Sequence, residues 1–253
     1  MLRFDDIVFG PIKSRRLGSS LGINLLPRQG KMCNFDCIYC ECGWNSDGRE
    51  GDRSLPTARD VEESLCQKLI SCKEEGIPID SITFSGNGEP TLNPEFSLVI
   101  DIVVALRNKL FPAAKITVLS NATRISDEKV REALLKVDRP VLKLDAPTDE
   151  MLRIINKPAS NWTVSKAIEG MKLFEGNFVL QTMFLKGADA DMGVPANLLA
   201  WMDIVREVKP KEIMVYTIDR ETPMKGLGKY SEQEMKDMLT PLLEEGFNIM
   251  IRG

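Results

Sequence analysis

The sequence predicts an α/β protein: a partial, open (β/α)6 barrel of parallel strands, TIM-like in its winding, with one extra strand at the end. Three observations carry that expectation. Strand-like and helix-like hydrophobic patterns alternate six times along 253 residues, in units of about 30–40 residues joined by right-handed crossovers. No Gly-, Ser- or Pro-rich linker interrupts them, so residues 1–253 read as one domain, with 1–31 a lead and first strand and 32–44 a cysteine loop. Six repeats fall short of the eight that close a barrel of about 250 residues, so the barrel stays open.

The elements follow in order. Leu21–Leu26 (LGINLL) is a short apolar strand feeding the cysteine loop. A helix capped near Thr57 carries Val61, Leu65, Leu69 and Cys72 at helical spacing and stops at Gly76. Strand Ser81–Ser85 leads to helix Pro94–Leu110, and strand Lys115–Ser120 to a helix begun by Ser126. Strand Pro140–Asp145 precedes a short helix over Asp149–Ile155 and a longer one from Thr163. Strand Phe178–Leu185 precedes helix Pro195–Val208. After strand Glu212–Ile218 comes a helix whose Ser231 and Glu234 form a capping-box pattern. Phe247–Ile251 is the extra strand.

Composition narrows the chemistry. The chain holds no histidine, which excludes imidazole bases and His metal ligands. No apolar run reaches the roughly 18–20 residues of a membrane span, and two acids sit where an export signal has its apolar core. A soluble, cytoplasmic protein is the expectation. Four of its six cysteines crowd into MCNFDCIYCECGW. The C-x3-C-x2-C spacing of Cys33, Cys37 and Cys40 points to a thiolate metal site. Without histidine or a second Cys pair, an iron–sulfur cluster with one iron open to a non-protein ligand suits it better than closed zinc, which stays the alternative. Cys66 and Cys72 lie about 120° apart on one helix and read as small core hydrophobes, and Cys42 as structural.

In parallel sheets chemistry collects at the C-terminal strand ends, and here those ends are polar. The second runs into Ser85-Gly86-Asn87-Gly88-Glu89-Pro90-Thr91, where Gly86 and Gly88 let backbone approach a ligand closely and Glu89 offers an acceptor for an ammonium. The others end at Ser120-Asn121, at Lys143 and Asp145, around Gln181 and Thr182, and at Tyr216 and Thr217. Each alone is an ordinary cap or turn residue. Their recurrence at one rim, after a cysteine loop, weighs toward a binding site.

The combination of C33-N-F-D-C37-I-Y-C40 with the later GNGEPT resembles the radical S-adenosylmethionine (radical SAM) superfamily, over nearly the whole chain. The opening FGPIKSRRLGSSLGINLLP is similar to a subgroup related to the wyosine-forming tRNA enzymes, often left as unassigned iron–sulfur oxidoreductases. The resemblance implies that Cys33, Cys37 and Cys40 hold three irons of one 4Fe–4S cluster and that S-adenosyl-L-methionine chelates the fourth. It places Tyr39 near the adenine, Glu89 near the methionyl ammonium, and Ser120 and Asn121 near the methionyl carboxylate and ribose. Lys143 or Asp145 would reach the carboxylate or ribose, and Gln181 the sugar.

The implied chemistry is reductive cleavage of the sulfonium to a 5′-deoxyadenosyl radical that abstracts hydrogen from a substrate. The cofactor performs the difficult step while the protein orients it and excludes solvent. With no second cysteine set, a flavodoxin- or ferredoxin-type donor supplies the electron to a monomeric enzyme. The substrate is open. Arg3, Lys13, Arg15, Arg16, Arg28 and Lys31 against Asp5 and Asp6 give residues 1–31 a formal +4, which suits RNA such as a tRNA base. The overall pI of 5.2 gives that reading no support. A partner protein's backbone glycine is a second target, and a non-catalytic iron–sulfur or zinc module the third reading.

Overall fold

The computed structural model describes residues 4–14, 17–47, 52–187 and 189–253. The alternating patterns become the strands of an eight-stranded sheet in the order β1-β2-β3-β4-β5-β6-β8-β10. Strand β1 is Val8–Ser14, β2 Gly18–Ile23, β3 Ser81–Phe84, β4 Lys115–Ser120, β5 Arg139–Lys143, β6 Val179–Met183, β8 Glu212–Tyr216 and β10 Ile249–Arg252. Within this sheet β2, β3, β4, β5, β6, β8 and β10 run parallel, and β1 pairs antiparallel with β2 at the edge. Because spatial order follows chain order, the sheet winds in one direction and curls into a half-barrel, the open barrel expected from six repeats. β10 is the extra strand, added beside β8.

Helices α1 (Ala58–Glu74), α2 (Phe96–Leu110), α3 (Glu128–Leu135), α4 (Asp149–Ile155), α5 (Val164–Lys172), α6 (Pro195–Val208), α7 (Glu232–Met238) and α8 (Thr240–Glu244) fill the crossovers. Their caps are local. Thr57 and Ser231 each form a complete capping box with the acid three residues on, Asp60 and Glu234. Asp127 rather than Ser126 caps α3, because its carboxylate accepts the first free backbone amides, those of Lys129 and Val130.

Other departures also have physical reasons. β1 was not anticipated: FGPIK has no alternation, and its register breaks between Phe9 and Ile12. β2 stops at Ile23 because Asn24 turns the chain, its side chain bonding the amide and carbonyl of Leu26. The expected strand Phe178–Leu185 divides into β6 and a two-residue β7 (Leu185–Lys186), which leaves the sheet to pair with β9 (Gly228–Lys229).

Period-two alternation decides what lies inside the half-barrel. Leu119, Val141, Val179, Met214 and Met250, one from each of β4, β5, β6, β8 and β10, form a small apolar cluster apart from the helix-packed core. Two residues earlier on two of these strands, Arg139 and Glu212 form an ion pair. Two residues later come Asn121, Lys143, Gln181, Tyr216 and Arg252, and all five line one cavity. The apolar layer is therefore a plug, and the polar strand ends above it face a common space.

Candidate active site

The cysteine loop is held to the barrel mouth from three directions. On one side Met32 zips to the Gly-rich segment: its N–H donates to Asn87 O (2.8 Å) and its carbonyl accepts from Glu89 N (3.1 Å). On the other, Asp36 N donates to Asn156 O (2.8 Å) and Ile38 N to Ile155 O (2.9 Å), tying the loop to the end of α4. Across the opening, Met224 N reaches Ile38 O (3.1 Å) and Arg220 pairs with Glu41 at 2.6 Å. Ile38 is fully buried in the core, and with it anchored Cys33, Cys37 and Cys40 all line a cavity of about 260 Å³.

The glycines of GNGEP serve this stitching. Gly86 and Gly88 have φ of +152° and +138°. A Cβ at Gly88 would stand 1.9 Å from Met32 O, and one at Gly86 2.3 Å from Asn24 Oδ1. The nearest neighbours of both positions are the protein's own chain, and both glycines also line the cavity, where backbone can approach a ligand.

Glu89 is 2% exposed. Its Oε1 accepts from Thr91 N, Thr91 Oγ1 and Ser120 Oγ, and its Oε2 from Asn121 N at 2.6 Å. Burial pushes the Glu89 carboxyl up against the pull of these bonds. The carboxylate thus ties the ends of β3 and β4 together and leaves capacity mainly at Oε2 for a cation. Ser120 is spent on Glu89 and Ala122 N, so it supports the carboxylate. Asn121 donates to Asn34 Oδ1 (2.6 Å) and, at 3.5 Å, to Cys33 Sγ.

On the far wall Lys143 Nζ donates to Tyr39 OH (3.0 Å) and Tyr216 OH (2.9 Å), with Asp145 Oδ1 at 3.7 Å. Burial opposes its charge, but Asp145, Tyr216 and Cys37 outweigh that, and the ammonium stays protonated. Of the pair Lys143 and Asp145, only Lys143 lines the cavity. Asp145, 1% exposed, accepts from Tyr39 OH, Asn156 Nδ2 and Met183 N, and so works from beneath. Gln181 lines the cavity and donates to Met214 Sδ at 3.5 Å.

Lys31 departs from the other described members of the basic lead. It is 3% exposed, donates to Asp36 (3.1 Å) and Gly43 O (3.1 Å), and lines the cavity beside the cysteines. Burial works against its charge, yet Cys40, Cys33, Cys37 and Asp36 together hold it protonated. A surface cation for RNA it is not. Lys13 and Arg28 are exposed; Arg3, Arg15 and Arg16 lie outside the described residues.

The thiols differ in basicity. Burial pushes Cys33 up and raises Cys37 to about 11. Cys40 falls from 9.0 to about 6, first because Cys42 hydrogen-bonds its thiolate and then because Lys31 attracts it. Cys42 lines the cavity and its Sγ donates to Gly86 O at 3.3 Å; Cys72 is buried as expected, and Cys66 is half-buried. Thiolate is the reactive form, so Cys40 of the metal-free protein is expected to alkylate at pH 7–8 while Cys33 and Cys37 stay slow. Its labelling should fall as pH drops through about 6; peptide mass spectrometry after iodoacetamide at graded pH reads this.

The donor set fits a cluster. Three sulfurs open onto one cavity with two ammonium groups, buried Lys31 and half-buried Lys143, and several N–H donors to compensate their charge. Among the described residues no three Cys, Asp or Glu side chains meet at a single ion position, whereas a cluster takes one thiolate on each of several irons. The sequence gives no sign of Asn156 and Arg252, whose placement depends on folding, and marks Lys31 only as a positive charge and Tyr216 only as a strand end.

With a half-barrel, three loop cysteines and a polar rim in place, the family assignment follows. The Radical SAM superfamily model matches residues 30–192. A UPF0026 protein of Helicobacter pylori (strain J99) is 32% identical over 238 residues, covering 90% of this chain and 71% of that one. The chain belongs to the radical SAM superfamily and, within it, to the UPF0026 proteins. A radical SAM methyltransferase from Sphaerobacter thermophilus shares the fold with TM-score 0.68 and 17% identity, over 92% of this chain and 65% of that one. TYW1 with a lysine-pyruvate adduct bound does so with TM-score 0.65 and 14% identity, over 92% and 76%. The wyosine-related likeness expected from the N-terminal sequence is thus present at the level of fold. No helix among the described residues is long and apolar enough to cross a membrane.

Proposed function

We propose that this protein is a radical SAM enzyme in which Cys33, Cys37 and Cys40 hold one 4Fe–4S cluster and the adjoining cavity binds S-adenosyl-L-methionine. When bound, the pair supplies one-electron cleavage of the sulfonium and hydrogen abstraction from a substrate. The single observation that carries this is the convergence of three thiols, Glu89 and the Lys143–Tyr39–Tyr216 group on one cavity.

The chain's own residues then have separable tasks. Glu89 Oε2 and the strand end at Asn121 receive the methionyl ammonium and carboxylate. Lys143 offers a fixed ammonium, and Tyr39 and Gln181 line the space for the nucleoside. Lys31 offsets thiolate charge from the loop side. The crossing made by Glu41–Arg220 and Ile38–Met224 narrows the mouth and keeps water out. The substrate enters past Ile218, Thr222 and Arg252 on the rim, and a flavodoxin- or ferredoxin-type protein delivers the electron. Buried Lys31 lends no surface charge to a tRNA substrate.

Anaerobic reconstitution with iron and sulfide tests the reading. The expected result is about four irons and four sulfides per chain and 5′-deoxyadenosine formed from S-adenosyl-L-methionine with dithionite. Protein that binds zinc alone and forms no 5′-deoxyadenosine would count decisively against it.

A further inference from the structure

Asn156 closes α4 and is 1% exposed. One amide nitrogen serves two acceptors: Nδ2 donates to Cys37 Sγ at 3.2 Å and to Asp145 Oδ2 at 2.7 Å. Its Oδ1 is buried with no hydrogen-bond partner among the described residues. A buried acceptor left unpaired costs about 1–3 kcal/mol, and such groups call for an explanation. Flipping the amide gives no relief, because its oxygen would then face the Asp145 carboxylate at the 2.7 Å contact that Nδ2 now makes. The orientation is forced by its two acceptors.

The backbone fixes the same contact. Asn156 O accepts from Asp36 N and Ile155 O from Ile38 N, the residues on either side of Cys37. Asp145, the amide's other partner, is itself pinned by Tyr39 OH and Met183 N. The N–H therefore cannot drift from the sulfur while the loop is folded.

We infer that Asn156 is a positioning residue for the cluster, on the reading that Cys37 is a cluster ligand: its amide aims the Cys37 sulfur and withdraws charge from it. Hydrogen bonds to cluster sulfurs are among the terms that set reduction potential, and outer partners orient ligands. A donor on a thiolate favours the more negative, reduced state, so removing it lowers the potential. The same amide joins the cluster to the Asp145–Tyr39–Lys143 group on the cavity's far wall, so one side chain orders both halves of the site.

The test compares the reconstituted full chain with Asn156→Ala, Asn156→Leu and Asn156→Ser, poised with redox mediators without S-adenosyl-L-methionine. The reduced cluster is read by electron paramagnetic resonance. At the wild-type midpoint the reduced-to-oxidised ratio is expected to fall about tenfold in the alanine variant, which is ~59 mV for one electron. Leucine keeps the volume without a donor and should behave like alanine, so the comparison survives if the alanine variant folds badly. Serine keeps a donor and should recover part of the loss. Midpoints equal to wild type in loaded alanine or leucine variants overturn the inference and leave the cluster standing. A wild-type chain that takes up no iron and sulfide overturns the inference together with the cluster reading.

Discussion

Alanine in place of Cys37 is expected to reduce iron and sulfide content to background and to abolish 5′-deoxyadenosine formation. Cys37 is the middle ligand in the proposed set and the most constrained. It is flanked by the two amides that bond the end of α4, receives the Asn156 N–H, and stands in a buried cavity wall. Cys66 and Cys72 belong to α1, and Cys42 Sγ donates to Gly86 O. The metal-free fold should persist, because losing one sulfur costs about 1 kcal/mol, an ordinary core change. Cys66→Ala is the matched control and should retain full cluster content. Iron and sulfide assays with urea unfolding of the metal-free chains separate ligand loss from misfolding.

Gly88→Ala should be nearly as damaging, for a backbone reason. The new Cβ would stand 1.9 Å from Met32 O and 2.5 Å from Met32 C, atoms that no rotamer can move aside. At φ +138° an alanine is also strained, at about 1–3 kcal/mol. The Glu89 N to Met32 O bond must break, adding about 1 kcal/mol. A loss of roughly 3 kcal/mol is expected in urea unfolding, together with a loop start displaced from Glu89 and poor cluster retention. Gly76→Ala, at φ +69° with open space around it, should cost about 1–2 kcal/mol and leave cluster content intact. If Gly88→Ala unfolds like wild type and loads its cluster normally, the zipped joint between loop and Gly-rich segment is not what holds the site.

The cysteine motif was legible because ligand spacing is a local property, and the strand ends because alternation and caps are local too. Thr57 and Ser231 cap their helices by contacts three residues long. Lys31, a lysine near arginines, looks like surface in the sequence until Asp36, Gly43 O and the three thiols enclose it. Asn156 carried no signal at all: an asparagine after a helix is an ordinary terminus, and its sulfur partner lies 119 residues away.

The sequence by itself determined the winding of the barrel, the three thiols and their spacing, and which strand ends are polar, because each is written in contacts or periodicities a few residues long. Only the tertiary structure decided that Asp145 works beneath the cavity while Lys143 faces it, that Gly88 makes room for Met32, and that Lys31 and Asn156 flank the cysteines. Those outcomes depend on which strands and loops become neighbours across the curl of the sheet, and burial then reassigns the charge and hydrogen-bonding of every polar group it encloses.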